Sequence, residues 1–97
     1  MKIQLENYIR DIKDFPKPGI IFKDITPLLS SPNASKACLE QLLNLVGDQK
    51  IDKVVGVEAR GFFFGNTLAQ SLNAGFVPVR KPGKLPSATI SQTYALE

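Results

Sequence analysis

Apolar side chains at Leu5, Tyr8, Ile9 and Ile12 recur at i, i+3, i+4 and i+7, a spacing that predicts an amphipathic helix ending near Asp14. Phe15-Pro16-Lys17-Pro18-Gly19 stops it, because two prolines and a glycine so close together force an extended, turning path. Ile20-Ile21-Phe22 then reads as a short strand, and Asp24 to Leu29 as a turn leading into one helical turn. Ser31 before Pro32 has the form of an N-cap with proline at the first helical position. Leu39, Leu42, Leu43 and Val46 line one face of the helix behind it, and Gly47 ends it.

Further on, the apolar runs become continuous. Ile51 to Val57 predicts a buried strand, Phe62 to Asn73 a helix with Phe64, Leu68 and Leu72 spaced by fours, and Phe76 to Val79 a second buried strand. Strand, helix and strand within about 30 residues form a βαβ unit and so a parallel sheet. Arg80 to Thr89 reads as a loop and Ile90 to Ala95 as a further strand. The expected class is α/β, a parallel sheet with flanking helices. Few parallel sheets stand with so few strands, so the chain also reads as truncated in mid-fold.

Composition narrows the chemistry. The 97 residues allow one domain at most, and 43% apolar against 22% charged residues is the balance of a globular protein. The apolar runs fall short of a membrane span, and Gln4, Glu6 and Asn7 interrupt any signal-peptide core, so a cytoplasmic protein is expected. There is no histidine, which excludes Ser-His triads and the commonest metal ligand. The single cysteine, Cys38, lies in a helical apolar pattern and reads as packing. A net charge of +3 suits a phosphorylated small molecule as readily as nucleic acid.

The candidate chemistry lies at two strand ends. Val54 to Gly65 runs from an apolar strand through a tight charged turn into a helix, where unpaired N–H groups and the macrodipole favour an anion and Arg60 adds a forked cation. The second strand ends in Arg80-Lys81-Pro82-Gly83-Lys84, and neighbouring parallel strands would bring both basic turns to one rim. The plainer readings are a solvated Arg60, a solubilising loop at Arg80 to Lys84, and an ion pair between Glu58 and Arg60 worth about 0 to 1 kcal/mol. Phe22 is either core or a platform for a flat base.

Phe15-Pro16-Lys17-Pro18-Gly19-Ile20-Ile21-Phe22-Lys23-Asp24-Ile25-Thr26-Pro27-Leu28-Leu29 closely resembles the N-terminal signature of the adenine phosphoribosyltransferase family. Gly56-Val57-Glu58-Ala59-Arg60-Gly61-Phe62 is similar to that family's pyrophosphate-contacting turn, Val79 to Pro86 to its second basic loop, and Tyr94-Ala95-Leu96-Glu97 to the start of its catalytic loop. The resemblance implies a phosphoribosyltransferase-like domain over 1–97, with a helix and base-binding hood in 1–33 and the first part of the α/β core in 34–97. It implies transfer of a phosphoribosyl group from phosphoribosyl pyrophosphate to adenine, giving AMP and pyrophosphate in purine salvage.

By the same resemblance, Ile21 and Lys23 present backbone groups to adenine and Phe22 stacks on it. Glu58, Ala59, Arg60, Lys81 and Lys84 meet pyrophosphate, and the peptide preceding Arg60 is cis. Glu97 and Arg60 are the catalytic residues, Glu97 positioning adenine and handling proton movement. Mg²⁺ is held mainly through the pyrophosphate substrate, with no protein metal ligand, and the assembly is a homodimer that binds neither nucleic acid nor membrane. The family's acidic pair and Thr- and Gly-rich ribose 5-phosphate loop have no counterpart here, so this chain alone is expected to be inactive. The alternatives are a non-catalytic short isoform and a phosphoribosyltransferase-like nucleotide-sensing regulator, the latter disfavoured by the mixed charges of Lys2, Glu6, Arg10, Asp11, Lys13 and Asp14.

Overall fold

A computed structural model describes residues 3–92, which belong to two compact units, Met1–Lys50 and Ile51–Glu97. The first unit departs from the helix expected over residues 5–14. A single 3-10 turn occupies Leu5–Tyr8, and strand β1, Arg10–Lys13, pairs antiparallel with β2, Ile21–Asp24. The physical reason is that a helix of about ten residues is marginal in water, whereas the strand alternative gains cross-strand partners. Arg10 lies opposite Asp24 with Nε and Oδ2 3.6 Å apart, Asp11 accepts from Lys23 Nζ at 2.6 Å, and Ile12 faces Phe22.

The proline- and glycine-rich stretch closes this hairpin. Asp14 and Gly19 take positive φ (56° and 88°), and the Gly19 N–H donates to Asp14 Oδ1 at 3.0 Å. Aspartate is one of the few side chains that adopts this conformation readily. Asp24 then accepts from both the N–H and the hydroxyl of Thr26, at 3.0 and 2.8 Å, as helix α1, Thr26–Ser30, begins.

Helix α2, Pro32–Val46, starts as its sequence dictates: Ser31 Oγ accepts from the Ala34 N–H at 3.2 Å and Pro32 fills the first position. Gly47, at φ 64°, ends it. Leu39, Leu42, Leu43 and Val46 form the less exposed face, and α2 packs against α1 and the 3-10 turn around buried Leu28 and Ala34.

In the second unit, β3, Lys53–Val57, and β4, Gly75–Val79, form a parallel pair with Val57 opposite Val79, joined by helix α3, Arg60–Ser71. The predicted βαβ unit is present, with α3 beginning two residues before Phe62. Phe76 packs into a space that only glycine leaves: a Cβ on Gly56 would stand 2.7 Å from its ring, and one on Gly65 would collide with it. Both strands were expected to be buried, yet one face is open. Val54, Gly56 and Phe76 are covered while Val55 and Val57 are 60% and 52% exposed, because one connecting helix covers one side of a two-stranded sheet.

Residues 80–92 form no helix or strand, and Ile90 is fully exposed. The remainder of the strand expected to Ala95, with Tyr94 and Glu97, lies outside the described residues. Among the described residues no helix is long and apolar enough to cross a membrane.

Candidate functional site

The register of β3 and β4 sets the geometry of the rim. Since Val57 lies beside Val79, the next residues, Glu58 and Arg80, leave the sheet side by side, and the Glu58 N–H donates to the Val79 carbonyl at 2.9 Å. The peptide between Glu58 and Ala59 is cis, one bond earlier than the resemblance places it. Ala59 is the N-cap of α3 and Arg60 its first residue; no side chain caps this helix, the Phe62 N–H donates to the Ala59 carbonyl at 3.0 Å, and the positive end of the helix dipole lies at this turn.

The second basic turn is tightly built. Pro82 and Gly83 occupy its two central positions, Gly83 has φ 80°, and the Lys84 N–H donates to the Lys81 carbonyl at 3.3 Å. Proline followed by a residue of positive φ is the signature of a type II turn, which sets Lys81 and Lys84 at its two ends. That Pro-Gly pair was the sequence signal for this geometry within the stretch read only as a loop.

A clasp joins the two turns. Glu58 Oε1 accepts from Arg80 Nε at 3.0 Å and from the Lys81 N–H at 3.1 Å. The Arg80 guanidinium lies 5.9 Å from the centre of the Phe62 ring, and its Nη1 reaches the Lys84 carbonyl at 3.5 Å. These partners, first the Lys81 amide and then Arg80, hold the Glu58 carboxyl below its usual range. The sequence pattern pointed to Arg60 as the ion-pair partner of Glu58, whereas the structure pairs Glu58 with Arg80, 22 residues along the chain: Arg80, counted only as one cation of a cluster, is the centre of the clasp.

Of the predicted pyrophosphate group, Glu58, Ala59, Arg60, Lys81 and Lys84 all stand on this one rim of the second unit. The predicted adenine group belongs to the first unit. Ile21 and Lys23 are two apart on β2, so their backbone groups point to one and the same edge of the strand. Phe22 is half-buried and meets Phe15 edge to face at 5.2 Å between ring centres, while the Lys23 ammonium is held by Asp11. Glu97 lies outside the described residues. Burial pushes the Cys38 thiol up, in keeping with a packing role. Among the described residues no three His, Cys, Asp or Glu side chains gather to hold a metal ion.

No protein-family model matches the chain. Over 95 residues it is 63% identical to the adenine phosphoribosyltransferase of Flavobacterium johnsoniae, a stretch covering 98% of this chain and 56% of that protein. The crystal structure of adenine phosphoribosyltransferase from Thermoanaerobacter pseudethanolicus matches with a TM-score of 0.89 and 51% identity, over 93% of this chain and 54% of that one. The Saccharomyces cerevisiae adenine phosphoribosyltransferase, crystallised with D-2,5-dideoxy-2,5-imino-altritol 1,6-bisphosphate and adenine, matches with a TM-score of 0.79 and 41% identity, over 87% and 52%. The chain spans about half the length of the relatives it matches.

Proposed function

We propose that this chain, homologous to the adenine phosphoribosyltransferases over 98% of its length, carries the adenine- and pyrophosphate-recognising part of an enzyme that transfers a phosphoribosyl group from phosphoribosyl pyrophosphate to adenine. The products are AMP and pyrophosphate, and the setting is cytoplasmic purine salvage. The observation that carries the reading is the meeting of two basic turns at the carboxyl ends of two parallel strands, where α/β folds bind their ligands.

Arg60 binds the leaving pyrophosphate, with Ala59 before it, Glu58 in the same turn, and Lys81 and Lys84 from the neighbouring one. Negative charge builds on pyrophosphate as the bond to the sugar breaks, so cations fixed at this rim stabilise the transition state more than the ground state. The edge of β2 at Ile21 and Lys23 reads adenine and Phe22 packs on its ring; the yeast relative's adenine complex supports a base site in a homologue. Mg²⁺ fits as an ion brought by the substrate, since the rim's donors are mainly cations and amide N–H groups; when bound it neutralises phosphate charge. Glu97 positions the base, and the working assembly is a homodimer.

The test has two parts on the purified chain. Titration with inorganic pyrophosphate should show saturable binding that Arg60→Ala weakens. An AMP-forming assay should show no turnover, because the 97 residues hold no counterpart of the family's ribose 5-phosphate loop. Absence of pyrophosphate binding, or turnover like that of a full-length relative, would overturn the corresponding half.

A further inference from the structure

One residue of the rim carries the wrong charge for an anion site. Glu58 is a carboxylate in the turn that leads to Arg60, and an exposed carboxylate there would repel pyrophosphate. Its side chain is nonetheless committed elsewhere: the same oxygen receives Arg80 Nε at 3.0 Å and the Lys81 N–H at 3.1 Å. Arg80 in turn touches three separate pieces of chain, namely Glu58 at the end of β3, the Phe62 ring in the first turn of α3, and the Lys84 carbonyl at the far end of the second turn. An arginine fork can do this where a lysine cannot, because it is planar, stacks on a ring and donates in several fixed directions.

We infer that Glu58 and Arg80 are positioning residues that do not contact the anion, and that their clasp holds the Lys81-Pro82-Gly83-Lys84 turn beside Arg60 so that Lys81 and Lys84 are in place before pyrophosphate arrives. This rests on the pyrophosphate reading above and assigns roles within it. The advantage is preorganisation: a free loop carrying Arg80, Lys81 and Lys84 would lose conformational entropy on binding, and the clasp removes that cost beforehand. The depressed Glu58 carboxyl agrees with a carboxylate that stays ionised in its clasp.

The sign of one substitution separates this role from plain electrostatics. Glu58→Ala removes a negative charge next to an anion site and by Coulomb's law alone should tighten pyrophosphate binding; because it also removes the oxygen that accepts from Arg80 and Lys81, it weakens binding about fivefold or more. Arg80→Lys keeps the charge but loses the fork and the stacking, and should weaken binding to a similar degree, with the double variant little worse than either single one. The measurement is calorimetric titration of inorganic pyrophosphate into the full chain and each variant, with circular dichroism to establish folding. Tighter or unchanged binding in Glu58→Ala, or full affinity in Arg80→Lys, overturns the inference.

Hydrogen exchange of the Lys81 amide supplies a readout without ligand. Faster exchange in Glu58→Ala than in the parent chain, with α3 amides unchanged, is the expected result; equal rates overturn the clasp even where pyrophosphate binds. A parent chain with a protected Lys81 amide and no affinity for pyrophosphate would instead sink the proposed function and leave the clasp as a structural contact, overturning its positioning role.

Discussion

Among the described residues two carboxylates, Asp24 and Glu58, are held below their ordinary range, and they do different work. Asp24, in the first unit, is stabilised first by the N–H of Thr26, then by its hydroxyl, and more weakly by Arg10. Its main partner is two residues away, so it closes the start of its own helix. Glu58, in the second unit, takes its partners 22 and 23 residues along the chain and joins two turns that approach only because β3 and β4 pair. A local carboxylate secures one element, whereas a long-range one sets the distance between elements, and only the second kind can shape a site built from two loops.

The largest effect that would sharpen this contrast is at Arg60. Arg60→Ala should lower pyrophosphate affinity about tenfold or more, the worth of a charge-assisted bond, while Asp24→Asn in the other unit should leave it unchanged by the same calorimetric titration. Equal losses in both variants would break the comparison.

Next comes packing. Gly65→Ala drives a methyl group into Phe76 and should cost about 1 to 3 kcal/mol, read as a fall in thermal midpoint. Amide exchange should show the loss concentrated in β3, α3 and β4. In the first unit Ser31→Ala removes the cap of α2, with an expected cost of about 1 kcal/mol and faster exchange at Ala34.

A smaller effect follows from pH. Because both carboxyls titrate lower in the folded chain than in the unfolded one, the unfolded state takes up protons first on acidification. The stability they contribute is therefore fully present above the ordinary carboxylate range and is lost as pH falls through that range and then through the depressed folded values. Thermal midpoints measured from pH 7 downward should fall less steeply in Asp24→Asn and in Glu58→Gln than in the parent chain; parallel curves would count against both assignments. Least of all, Lys23→Ala breaks an exposed ion pair and should change stability by no more than about 0.5 kcal/mol.

The elements differ in how readily they could be seen beforehand. Helix α2 announced both ends, because Ser31-Pro32 and Gly47 act on neighbouring backbone groups and its apolar face follows a local period. The βαβ order was equally plain from two continuous apolar runs flanking a helical one. Residues 5–14 misled for the converse reason: Leu5, Tyr8, Ile9 and Ile12 satisfy a helical period, yet the gain from pairing Arg10 and Asp11 with Asp24 and Lys23 depends on partners 14 and 12 residues further on.

At the rim, the identity of the cations and the Pro-Gly turn could be read directly, since each is a property of a few adjacent residues. That Glu58 would face Arg80, and that Phe62 would lie beneath the guanidinium, required the Val57 to Val79 register and the first turn of α3. Residue type, caps, turns and apolar period were thus written in the chain itself, because they act over a few bonds. Strand pairing, the open face of the sheet and the clasp were decided by tertiary structure, because their energies arise between segments far apart in sequence.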